Sequence, residues 1–209
     1  MAESRKRDLK MDAAFWNDRY AGAGHFYGEA PNAFVAAVAL QIPAGPVLCL
    51  AEGEGRNAVH LAKLGHPVTA VDQSAVGLAK ARQLAGAHHV NIDTVVADLT
   101  DYSLAQGAWA GIIATFAHLP PALRRRIHRG VVAGLRPGGM FVLEAYTPAQ
   151  LAFDTGGPKS PELLMTLAGL RDELSGLQFL IGRELERDVI EGAGHTGRAA
   201  VVQILARRP

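Results

Sequence analysis

The chain has a single cysteine, Cys49, among its 209 residues. An intramolecular disulfide framework is therefore excluded, which fits a reducing compartment such as the cytoplasm. Cys49 lies in an apolar run, where a thiol packs as a small hydrophobe. Charge of one sign is missing as well: 21 basic against 20 acidic side chains leave a net charge of +1. Such a balance gives no field to gather nucleic acid or an anionic membrane. No uninterrupted apolar stretch approaches the ~20 residues a membrane-spanning helix needs. Met1 to Lys10 carries basic residues with no apolar core after them, which argues against a secretory signal. The eight histidines show no H-E-x-x-H or comparable ligand spacing, so no metal site is expected. A hydrolase's G-x-S-x-G is absent, and so is a Y-x-x-x-K pair. These absences predict a soluble cytoplasmic protein with a small-molecule partner, and leave its oligomeric state open.

What is present is enough for one α/β domain with a substantial core, with 49% apolar residues and no composition break, internal repeat or low-complexity tract. The informative stretch runs from Val47 to Asp72. Val47 to Ala51 reads as a strand buried on both faces. Gly53 and Gly55 allow a sharp turn and a close backbone approach to a ligand. Arg56 to Leu64 carries a helical apolar stripe, with Gly65 placed as its C-cap. Val68 to Val71 is the second strand, and Asp72 ends it beside the crevice where a nucleoside ribose offers its hydroxyls.

Two ligand classes fit. Gly53, Gly55 and Ala58 satisfy the loose dinucleotide pattern G-x-G-x-x-G/A. Glu52 and Glu54, however, flank Gly53, and carboxylates projecting from this turn would repel a pyrophosphate. They would attract the sulfonium and ammonium of S-adenosyl-L-methionine, although Arg56 dilutes that field.

The segment E-G-E-G-R-N-A-x-x-L-A-x-x-G-x-x-V-T-A-V-D resembles class I S-adenosylmethionine-dependent methyltransferases. Within them it is similar to the tellurite-resistance and thiopurine-methyltransferase-like subgroup, over about residues 15 to 207. The cofactor-binding candidates are Glu52, Gly53, Glu54, Gly55, Asn57, Asp72, Gln73, Asp98 and Leu99, and the resemblance implies roles for five of them. In that set the glycines line the methionine part, Asp72 holds the ribose, and Asp98 with Leu99 meets the adenine. Two positions depart from the family pattern: Cys49 stands where the first strand has an acidic residue, and Ala51 where the turn has its first glycine.

Beyond Asp72 the alternation continues. Ser74 N-caps a helix to about Ala85, Ile92 to Val96 is a third strand, and Gly111 to Thr115 a fourth. Pro121 opens a helix to Ala133, LRPGG makes a turn, and Met140 to Ala145 is a fifth strand. Strands separated by helices predict a parallel sheet. The resemblance adds a helix over Glu162 to Leu174 and a closing antiparallel pair, Phe179 to Val189 and Ala199 to Ala206, joined by EGAGHTG. The expected fold is thus α/β: a Rossmann-like, seven-stranded, mostly parallel sheet with helices on both faces and a C-terminal antiparallel hairpin. Residues 1–14 are expected to be flexible. Phe15, Trp16 and Tyr20 fall at helical spacing, and residues 15–34 are either packed on the domain or a lid with Tyr20, His25 and Tyr27 at its rim. Thr147 to Pro161 is a long connection, either a functional loop or a surface crossing. Arg124, Arg125, Arg126 and Arg129 read as a solvated helix face rather than a docking site for an acidic partner.

Methyl transfer is an in-line displacement that proximity and a dry pocket can drive without a dedicated catalytic group. A thiolate or a chalcogen oxyanion such as tellurite would need none, whereas an oxygen or nitrogen acceptor would want a general base. The candidates at the ends of strands four and five are His118, Glu144 and Tyr146, with His118 first. Two other readings remain: a non-catalytic S-adenosylmethionine-binding regulator, and an NAD-dependent oxidoreductase.

Overall fold

The computed structural model describes residues 11–209 apart from 154 and 193. Strand β1 (Val47–Leu50) shows how the core is divided. All its side chains are buried, and they alternate: Leu48 and Leu50 enter one apolar cluster, Val47 and Cys49 another. A strand apolar on both faces must be covered on both. Strands β2 (Val68–Asp72), β3 (Asp93–Val96), β4 (Trp109–Thr115), β5 (Leu135–Tyr146), β6 (Gln178–Glu191) and β7 (His195–Arg207) complete a sheet ordered β3-β2-β1-β4-β5-β7-β6. Pairing is parallel from β3 through β5, and antiparallel for β5–β7 and β7–β6. One face is covered by α2 (Ala33–Val38), α3 (Arg56–Lys63) and α4 (Ala75–Ala87), which contribute Phe34, Val35, Leu61 and Leu78. The other is covered by α5 (Pro121–Gly134) and α6 (Leu167–Glu173), through Ile127, Val131 and Leu170. A short helix α1 (Ala13–Tyr20) precedes them. The expected Rossmann-like α/β fold is therefore present.

Four local expectations change. LRPGG is drawn into β5 as a wide bulge: Leu135 pairs with Trp109 and Met140 with Gly111, while Gly138 takes φ +79 in between. The helix expected over Glu162 to Leu174 is broken. A 3-10 turn (Pro161–Leu163) comes first, and Leu164 is extended. Met165 then donates its N–H to Tyr146 O, which pins this stretch to the end of β5 before Thr166 N-caps α6. The C-terminal strands run on to Glu191 and His195, which pair in register, so the hairpin turn is shorter than EGAGHTG. Of the segment expected to be flexible, residues 1–10 lie outside the described residues. Asp12 N-caps α1 by accepting from Phe15 N, so Ala13 and Ala14 are helical.

Candidate active site

Chain order reverses between β1 and β4, where a doubly wound sheet opens a crevice at its carboxyl edge. A cavity of about 560 Å³ lies there, within the size range of small-molecule sites. Its walls are the residues that end the strands: Ala51 after β1, Asp72 on β2, Thr115 and Phe116 at β4, Tyr146 on β5 and His195 on β7. Phe15, Trp16, Arg19 and Tyr20 of α1 close it from the amino-terminal side with Tyr27. His25 is not among the lining residues; it pairs with Glu29 at 3.1 Å.

The β1–α3 turn differs in detail from what its sequence implies. Gly53 (φ +63) and Gly55 (φ +91) do take conformations that favour glycine, but neither lines the cavity. A Cβ on Gly53 would lie 2.6 Å from Tyr20 Oη, and one on Gly55 2.5 Å from Ala81 Cβ. Their missing Cβ atoms leave room for Tyr20 of α1 and Ala81 of α4. Nor do the two carboxylates project freely. Glu52 accepts from Asn57 N (2.9 Å) and Ala58 N (2.7 Å), capping α3, and burial pushes its carboxyl up to about 7. Glu54 accepts from Phe26 N at 2.7 Å and pairs with Lys80 at 3.0 Å, and Lys80 also holds Gly22 O and Gly24 O. Neither carboxylate is the free charge its place in the turn suggests, because folding gives each of them donors. Both nevertheless reach the cavity wall.

Asp72 stands as expected at the crevice. Its Oδ2 accepts from Gly53 N at 2.8 Å and its Oδ1 from Ser74 N at 2.7 Å, so the carboxylate is aimed while lone pairs remain for a ligand hydroxyl. Burial raises its carboxyl, opposed by those same N–H groups. Asn57 is spent on structure, accepting from Asn32 N and donating to Thr115 Oγ1. Gln73 donates to Met11 O and so ties α1's approach to the site. Asp98 and Leu99 line the cavity; Asp98 turns its chain by accepting from Thr100 N. Arg126 donates to the carbonyls of Leu99 and Thr100, and Arg124 makes a two-pronged pair with Glu173. Those arginines are therefore not simply a solvated face.

At the other end the expected catalytic group separates. His118 lines the cavity, but both ring nitrogens are engaged: Nδ1 donates to Leu163 O at 2.9 Å, and Nε2 accepts from Tyr146 N at 3.4 Å. Burial lowers the imidazole to about 4. An imidazole whose two nitrogens already bond to backbone, and whose basicity burial lowers, is a poor general base. Glu144 is fully buried and does not line this cavity; it accepts from Arg187 at 2.7 Å and Gln203 at 3.0 Å. Its carboxylate is consumed by that ion pair, so it is structural. Tyr146 does face the cavity, stacked on His118 with ring centroids 5.5 Å apart, and its buried Oη has no partner among the described residues.

Sequence reasoning missed a cluster built on Glu191. This carboxylate accepts from Arg56 (2.6 Å), Asn32 (2.9 Å) and Arg187 (3.1 Å), with His195 Nδ1 3.8 Å away. Burial alone would raise Glu191, but His195, Arg56 and Arg187 hold it down at about 2. Burial lowers His195, and Glu191 opposes that shift. The His195 ring sits among Tyr27, Phe116 and Tyr146 at 4.6, 4.6 and 5.4 Å. Phe116 reaches that place in a left-handed conformation (φ +53), held by its N–H to Glu144 O at 2.7 Å. Arg56 was visible in the G-R-N motif and His195 in the turn, but nothing local marks them as neighbours. Gly157 and Pro158, from the long connection after β5, also wall the cavity, and a Cβ on Gly157 would meet the Tyr146 ring at 2.5 Å.

Residues 47–139 match the family model described as a methyltransferase domain. No curated protein sequence matches the chain. Among solved structures, one from work on conversion of a disulfide bond into a thioacetal group during echinomycin biosynthesis superposes with TM-score 0.74 at 23% identity, over 95% of this chain and 90% of that one. TehB from Haemophilus influenzae superposes with TM-score 0.69 at 20% identity, over 94% and 67%. The N-methyltransferase NodS from Bradyrhizobium japonicum WM9, in complex with S-adenosyl-L-homocysteine, gives 0.69 at 15% identity, over 94% and 98%. The fold is that of class I methyltransferases. The methyltransferase-domain match covers the part of that fold that carries the β1–α3 turn and Asp72. Among the described residues no helix is long and apolar enough to cross a membrane, and no cluster of three or more His, Cys, Asp or Glu could hold a metal.

Proposed function

We propose that the chain transfers a methyl group to a small-molecule acceptor held in the cavity between α1 and the ends of β4, β5 and β7. The observation that carries this reading is a walled cavity with an aimed carboxylate, Asp72, at one end and buried donors without partners at the other. Asp72 would take the ribose hydroxyls, Asp98 and Leu99 the adenine, and Glu52 the positively charged methionine end. The cofactor would supply an electrophilic methyl group on a sulfonium. The chain's own task is then to orient, exclude water and, where the acceptor has a proton to lose, receive it. His195 suits that last role better than His118. Burial keeps its imidazole uncharged near neutral pH, and its Nδ1 has no hydrogen-bond partner among the described residues. α1 and Tyr27 form the roof and would act as a lid.

A thiol or chalcogen oxyanion acceptor, as the tellurite-resistance-like subgroup implies, fits a pocket lined at its β4–β5 end by the Phe116 and Tyr146 rings. The likeness to TehB concerns the fold alone. Calorimetric titration with S-adenosylmethionine, S-adenosylhomocysteine and NAD in parallel tests the cofactor. Micromolar binding of both adenosyl ligands with NAD silent is expected, and binding of NAD alone would overturn the reading. Turnover of bound S-adenosylmethionine with a thiol, phenol or oxyanion separates an enzyme from a regulator that only binds the cofactor.

A further inference from the structure

Among the described residues three cavity-lining side chains keep a buried nitrogen or oxygen without a partner: His195 through Nδ1, and Arg56 and Tyr146 through groups that can donate. Arg56 is 8% exposed; its Nη2 is spent on Glu191 at 2.6 Å, while its Nη1 is buried and has no partner among the described residues. Tyr146 is fully buried, and its Oη is likewise without a partner. Native structures rarely leave such groups unsatisfied without a reason, and both line the same cavity. They flank His195: Arg56 and His195 approach the same oxygen of Glu191, at 2.6 and 3.8 Å, and the Tyr146 ring lies 5.4 Å from the imidazole.

The occupant they call for must bring acceptor atoms. The charges around this corner cancel, Arg56 and Arg187 against Glu144 and Glu191. Both oxygens of Glu191 are already covered by Arg56, Arg187 and Asn32. A cation would find no free carboxylate here, whereas an anion finds an unused guanidinium N–H and an unused phenol O–H, the donor types that hold carboxylates. We propose that the Arg56–Tyr146 corner is an oxyanion subsite that binds a carboxylate-sized anionic group of the methyl acceptor. The inference rests on the methyl-transfer reading of the cavity. It makes the acceptor an organic acid or an oxyanion, with its reacting atom near His195.

Benzoate and its uncharged counterpart benzamide test the corner by calorimetry, each titrated into protein saturated with S-adenosylhomocysteine and into ligand-free protein. Benzoate is expected to bind the saturated protein with Kd of about 1 mM or tighter, and benzamide about tenfold more weakly. Tyr146→Phe should weaken benzoate about fivefold and leave S-adenosylhomocysteine affinity unchanged. Equal binding of benzoate and benzamide, or no benzoate binding at all, overturns the proposal. Benzoate that binds only the ligand-free protein and is expelled by S-adenosylhomocysteine gives the corner to the cofactor's own carboxylate, and overturns the acceptor assignment. If S-adenosylhomocysteine itself does not bind, the methyl-transfer reading fails separately, and the contrast in ligand-free protein still decides whether the corner takes an anion. That contrast needs no variant, so a poorly folded Tyr146→Phe would not blunt it.

Discussion

The two ends of the cavity are built in different ways. At the β1–β2 end the turn and the aimed carboxylate lie within one βαβ unit: Ala51, Glu52 and Asp72 are at most 21 positions apart, and Asp72 binds Gly53 N, 19 residues away. At the β4–β5–β7 end the decisive contacts span most of the chain: 135 residues from Arg56 to Glu191 and 159 from Asn32 to Glu191. The first end is held mainly by backbone N–H groups, which any sequence supplies once the turn forms. The second depends on side-chain pairs as well, several of them charged and buried. A binding end made of backbone can be shared across a fold, while one made of long-range side-chain pairs is free to differ between proteins.

The comparison breaks most sharply at Glu191. Glu191→Ala leaves Arg56 and Arg187 buried without their shared partner, and should destabilise the protein by about 3–5 kcal/mol in urea unfolding. A loss below about 1 kcal/mol would mean the network is dispensable and the second end needs another account.

Glu52 tests the first end. Its carboxyl is raised to about 7 from 4.5, so its contribution to stability is present below pH 4.5 and is lost as pH rises through 7. Glu52→Gln keeps an oxygen for Asn57 N and Ala58 N and removes the charge. It should therefore raise stability at pH 8 by up to about 3 kcal/mol and change little at pH 4. Thermal melts across that range give the slope, and an unchanged slope would return Glu52 to an ordinary carboxylate.

Asp72→Ala should cost about 1.5–3 kcal/mol of S-adenosylmethionine affinity through the lost charge-assisted hydrogen bonds. Calorimetry on folded protein reads it, and unaltered affinity would remove Asp72 from the ribose. The smallest effect belongs to Ala51, whose φ of +49 is a left-handed conformation that costs an alanine roughly 1 kcal/mol. Ala51→Gly should raise stability by up to about that amount in denaturant unfolding, less the entropy glycine adds to the unfolded chain.

Much of the first end was legible. The run Val47 to Asp72 announced strand, turn, helix, strand and acid, and Asp72 stands at the crevice. Its hydrogen bonding was not legible. Glu52 reads as a free charge in a turn, and only the fold shows it folded back onto the first N–H groups of α3. Gly53 and Gly55 read as ligand cradles because a positive φ and a missing Cβ look the same in sequence whatever fills the space; here Tyr20 and Ala81 fill it. His118 illustrates the second end. An imidazole at the end of a strand is chemically able to act as a base, but the carbonyl of Leu163 and the N–H of Tyr146 come to it from elements 45 and 28 residues away. The broken helix after Pro161 has the same cause, since Met165 bonds to the end of β5 and its neighbours could not remain helical.

The order of strands and helices, the turn after β1, the buried Cys49 and the acid at the end of β2 followed from the sequence. Each depends on local periodicity, on glycine's backbone freedom or on the burial of apolar runs. Which partners quiet Glu52, Glu54 and His118, and how Arg56, Tyr146, Glu191 and His195 come to share one corner, was decided only by tertiary structure. A side chain's charge and its free hydrogen-bonding capacity are set by its neighbours, and for Arg56 and Glu191 the chain brings those together across 135 residues.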